Sequence, residues 1–143
     1  MIRTLLLAVT TLLLAGSGCD SGPKLVHISG QVLVDGQPLR HGFVTIAPEG
    51  HRAALAKLDS EGRFTMTTGP DKDGDGVALG THKVAVNSIE HLGPGSQKWH
   101  APKKYNDLQT SGLTVTIDKA QSDLVLNLTW DGGKPFIERS GKE

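Results

Sequence analysis

One cysteine, Cys19, occurs in 143 residues, so no internal disulfide can close and the fold must rest on its core alone. Aromatic residues are scarce. Two Trp, one Tyr and three Phe leave a core to be built from Val, Ile and Leu. Charge of one sign is missing too: fifteen Lys and Arg stand against fifteen Asp and Glu. Neither sign forms a run longer than the Lys103-Lys104 pair, which excludes the basic footprint of a nucleic-acid-binding protein. A bilayer-spanning run of ~18 or more apolar residues is absent as well. The apolar stretch at residues 5–15, preceded by Arg3, has instead the length of the ~7–15-residue core of an export signal.

After that stretch come Gly16, Ser17, Gly18 and Cys19. The pattern resembles the bacterial lipoprotein signal, in which small residues precede a cysteine that is acylated and becomes the new amino terminus. The resemblance implies residues 1–18 as signal peptide, lipidation at Cys19 and a membrane-anchored, exported protein of the cell envelope. An ordinary secretory cut near residues 15–17, leaving Cys19 free, is the alternative these residues leave open. Residues 19–24 are short and polar and read as a tether.

From Leu25 onward apolar residues recur at every second position, the period of a strand. Val26, Ile28, Val32 and Val34 alternate with polar or small neighbours until Asp35-Gly36, a dipeptide suited to a tight hairpin turn. Further strands are expected from about Leu39 to Ala47, over residues 53–58, 63–67, 81–87, 113–117 and 124–130, with Gly- and Pro-rich loops at 68–76 and 93–102. About seven strands with turns every ~8–12 residues predict an all-β fold, a single antiparallel seven-stranded β-sandwich over residues 25–130. The tail, residues 131–143, lacks periodicity and is expected to be disordered.

Three motifs carry a second resemblance. The run from Gly30 through Val32, Asp35, Gly36, Pro38, Leu39, Gly42 and Val44 follows G-x-V-x-x-D-G-x-P-L-x-x-G-x-V. Asp59, Gly62 and Phe64 then match an Asp-x-x-Gly-x-Phe turn, and Gly80, Val84 and Val86 a Gly-x-x-x-Val-x-Val strand. Together they resemble carboxypeptidase regulatory-like, transthyretin-like domains. The segment from Pro102 to Asp107 with residues 110–114 is similar to the ending of many small exported lipoproteins of planctomycete-type bacteria. This resemblance implies a prealbumin-like sandwich serving as a non-catalytic interaction module beside enzymes, transporters and surface proteins; for an exported chain the expected partner is an envelope protein or polysaccharide. The same fold includes a purine-pathway hydrolase with a C-terminal Tyr-Arg-Gly-Ser signature; here residues 138–141 read Glu-Arg-Ser-Gly, so a hydrolase is the remote alternative.

The sharpest metal candidate is Asp71, Asp73 and Asp75, carboxylates at alternate positions followed by Gly76, as in the first half of a calcium loop. Counting twelve positions from Asp71 reaches His82, where an EF-hand has Glu, and flanking helices are not expected. A non-helical Ca²⁺ site would make the chain a calcium-dependent carbohydrate- or protein-binding module, while a solvated polar loop needs the same residues. The histidines lack zinc spacing; His27 and His82 should face solvent, and His91 and His100 flank a loop where they could meet. Trp99, with Tyr105 close behind, is the candidate contact surface, unless Trp99 caps one end of the core.

Overall fold

The computed structural model describes residues 22–69 and 75–141. They form β1 (Leu25–Val26), β2 (Ile28–Val34), β3 (Gln37–Pro38), β4 (Phe43–Ala47), β5 (Ala54–Lys57), β6 (Arg63–Thr65) and β7 (Val77–Ala78). Then follow β8 (Gly80–Asn87), β9 (Ile89–Gly93), β10 (Ser96–Trp99), β11 (Leu113–Ile117), β12 (Gln121–Leu128) and β13 (Phe136–Arg139). One 3-10 turn, Lys103–Asn106, interrupts the strands, and the described residues contain no α-helix. The expected all-β class is what is found, although the described residues make thirteen short strands where about seven are expected from the sequence.

Period-two alternation decides the core. One four-stranded sheet runs β11-β8-β4-β5, and a second is built from β12, β2 and β3 with β6 also on β2. Val44 and Ile46 of β4, Val84 and Val86 of β8, and Val115 and Ile117 of β11 turn the same way into one buried cluster. Ile28, Val32 and Val34 of β2 with Leu126 and Leu128 of β12 enter it from the second sheet. Each such aliphatic side chain contributes roughly 1.5–3 kcal/mol on leaving water, so the cluster holds the two sheets without a disulfide. Leu39, Ala54, Ala56, Leu58, Phe64, Met66, Val77, Ala101 and Tyr105 complete the core, and Val26, Leu113, Leu124 and Trp130 pack against it partly buried.

Asp35 and Gly36 link β2 to β3 with φ of 47° and 79°, the paired positive values of a type I′ hairpin turn. The wholly antiparallel arrangement does not hold: β2 and β12 pair in parallel, Leu126 beside Val32 and Leu128 beside Val34. Parallel neighbours need a long crossover, and here the whole chain from β3 to β11 supplies it. The two backbones come close enough at Gly30 that a Cβ there would lie 1.9 Å from the Leu124 carbonyl oxygen.

Two further expectations are corrected. The supposed loop at 93–102 contains a hairpin: β9 and β10 pair through Trp99 and Ile89, turning at Pro94-Gly95 with Gly95 at φ 67°. Proline followed by a positive-φ glycine suits the two central positions of a type II turn. The tail at 131–141 is not free either, because β13 pairs with β10 from Ser96↔Arg139 to Trp99↔Phe136. Four residues with two large apolar side chains suffice once a partner edge is present.

Candidate functional site

Cys19, Asp71 and Asp73 lie outside the described residues. Asp75 is inside, and its carboxylate accepts the backbone N–H of Thr68 at 2.7 Å and the Thr68 hydroxyl at 2.6 Å. The Thr68 hydroxyl, then its N–H, hold the Asp75 carboxyl below its ordinary range. The side chain thus ties together the two ends of the 70–74 segment. Among the described residues, no three His, Cys, Asp or Glu side chains are grouped to hold a metal ion.

Trp99 and Tyr105 are not an exposed contact surface. Trp99 is 6% exposed: it stacks on Phe136 with ring centroids 6.4 Å apart, and its Nε1 donates to Glu138 Oε2 at 2.9 Å. Gln97 donates to the same oxygen at 2.9 Å and Lys103 to the other, with the Lys103 ammonium 5.2 Å from the Trp99 ring centroid. Lys103 first, then Gln97 and Trp99, hold the Glu138 carboxyl down at about 2. Tyr105, 5% exposed, reaches the core from the 3-10 turn, and its hydroxyl accepts the Thr129 N–H at 3.1 Å. Pairing of β10 with β13 buries Trp99, and the 3-10 turn carries Tyr105 into the core.

The histidines also move. His82, expected in solvent, is 6% exposed; its Nε2–H donates to the Ala78 carbonyl at 2.7 Å, leaving Nδ1 buried without a partner among the described residues. His91 stays exposed, and His100 meets His41 instead, with ring centroids 5.4 Å apart. His100 Nε2–H donates to Glu90 at 2.7 Å, and that bond holds the Glu90 carboxyl below its ordinary range. His41 Nε2–H donates to the Ile89 carbonyl at 2.9 Å.

Beside this pair lies a groove that sequence reasoning missed. After β12, Asp131 and Gly132 take φ of 50° and 86°, and the chain turns back so that Gly133 N–H donates to the Trp130 carbonyl at 3.0 Å. The segment then crosses next to the β2–β3 hairpin, and Asp35 accepts the Trp130 N–H at 3.4 Å. Between the two runs is an open groove of about 470 Å³. Pro38, Leu39, Trp130 and Pro135 supply apolar walls, and Arg40 and Lys134 bring cations to its rim. Trp130, partly buried against the core, meets Phe136 edge to face with ring centroids 6.3 Å apart. Neither Arg40 nor Lys134 has an ion pair among the described residues. The only hint in the sequence was Trp130 followed by Gly132-Gly133 and Pro135, a turn that folds back under an aromatic ring.

No helix among the described residues is long and apolar enough to cross a membrane. Compared with known proteins, the chain matches no family model, no curated protein and no solved structure.

Proposed function

We propose that the chain is an exported lipoprotein, anchored through an acylated Cys19, whose body is a transthyretin-like β-sandwich working as a non-catalytic binding module of the cell envelope. Two sheets closing on one aliphatic cluster support the sandwich reading. The position of β1 supports the anchor: Leu25 stands six positions after Cys19, a reach of at most ~20 Å when extended. An acylated Cys19 would therefore hold the domain against the membrane. The buried hydroxyls of Ser88 and Ser111 donate to the carbonyls of His41 and Val84, so they serve the backbone.

The observation that carries the binding reading is the groove at Trp130, lined by an aromatic side chain and by two cations that have no ion pair among the described residues. Solvent-exposed binding surfaces of this kind combine apolar walls with a few placed polar groups. Fractionation tests the anchor: the native chain should sediment with membranes and Cys19→Ser should not. Equal distribution of the two would overturn the lipoprotein reading.

A further inference from the structure

We infer that the Trp130 groove binds an acidic saccharide, a uronate-containing glycan, with its sugar ring on Trp130 and its carboxylate between Arg40 and Lys134. The inference rests on the binding-module reading and names the ligand of the same site. Three features point to this class. First, the groove's volume, about 470 Å³, falls within the ~300–1,000 Å³ of small-molecule sites, and its open form admits a chain that continues past either end. Second, its lining is of the right chemistry: Trp130 with Pro38 and Pro135 offers apolar surface for the C–H face of a pyranose, while the Gln37 amide can both donate to and accept from ring hydroxyls.

Third, cations outnumber carboxylates in the lining: Arg40 and Lys134 form no ion pair among the described residues, and Asp35, the one carboxylate in the lining, accepts the Trp130 N–H. An exposed guanidinium beside an aromatic wall suits a planar carboxylate, which it can meet with two parallel N–H···O bonds. A neutral sugar would leave both cations unused, and a bare phosphate would leave the Trp130 and proline walls unused.

The test uses the full chain carrying Cys19→Ser and follows the two indole N–H signals by NMR. Trp130→Phe identifies the groove signal, and the Trp99 signal, held by Glu138, reports that the fold is intact. A galacturonic acid trimer should shift the Trp130 signal saturably and leave Trp99 in place. Arg40→Ala and Lys134→Ala, both at exposed positions, should each weaken binding about tenfold, and affinity should fall as salt rises. Three results overturn the inference: an equal shift with a neutral hexose trimer, an equal shift with inorganic phosphate, or no shift with the uronate trimer. The first leaves the groove as a sugar site of another class. The last removes the acidic ligand while the anchor, read by fractionation, stands or falls separately.

Discussion

Trp99 and Glu138 stand 39 residues apart in sequence and are joined by a 2.9 Å hydrogen bond from the indole to the carboxylate. That bond ties β13 to β10, and Lys103 closes the arrangement from the 3-10 turn. The Glu138 carboxyl is held at about 2, below its ordinary 4.5, so its contribution is fully present above the ordinary range. It is lost as pH falls from about 4.5 toward 2. Amide protection of β13, taken relative to the intrinsic exchange rate at each pH, should therefore fall over that window while the core strands stay protected. Glu138→Gln should show the reduced protection already at neutral pH. Because the carboxylate is partly exposed, added salt should weaken the latch as well.

A methyl group on Gly30 would meet the Leu124 carbonyl at 1.9 Å, a distance no side-chain rotation can relieve. Gly30→Ala should destabilise the fold by ~3 kcal/mol, the top of the usual overpacking range, read as a lowered urea midpoint. Gly22→Ala, where a Cβ would meet open space, should change it little.

Tyr105→Phe removes the acceptor of the Thr129 N–H while keeping the buried ring. The expected loss is about 1 kcal/mol by denaturant unfolding. Tyr105→Ala also empties the ring's place in the core and should cost roughly 3–5 kcal/mol. Equal stability of the two variants would show that the Tyr105 ring is not part of the core.

Asp75→Ala removes the acceptor of both Thr68 bonds and should lower stability by ~1–2 kcal/mol, to the same extent in EDTA and in Ca²⁺. A Ca²⁺-induced rise in melting temperature that Asp73→Ala abolishes would instead restore the calcium-loop reading of Asp71, Asp73 and Asp75.

The aliphatic core was legible because alternation is a local signal: Val32 and Val34, Val44 and Ile46, Val84 and Val86 declare their faces within a few residues. Asp35-Gly36 declared its turn in the same way. What could not be read locally was pairing at a distance. Ser96-Gln97-Lys98 carries no aliphatic alternation, and Phe136-Ile137-Glu138-Arg139 is a strand because β10 offers it an edge. Pro94-Gly95 was a readable turn that the surrounding glycines and prolines hid inside an apparent loop. Trp99 and Tyr105 then changed sides, from expected contact surface to packed interior. The parallel pairing of β2 with β12 and the groove at Trp130 likewise arise only when the two ends of the chain meet.

Whether this β domain is held at a membrane through Cys19 is read by intact mass spectrometry of the protein extracted from membranes of its native host. The account predicts a chain that begins at Cys19 and carries the added mass of two or three acyl groups. An unmodified chain beginning near residues 16–18 would contradict it.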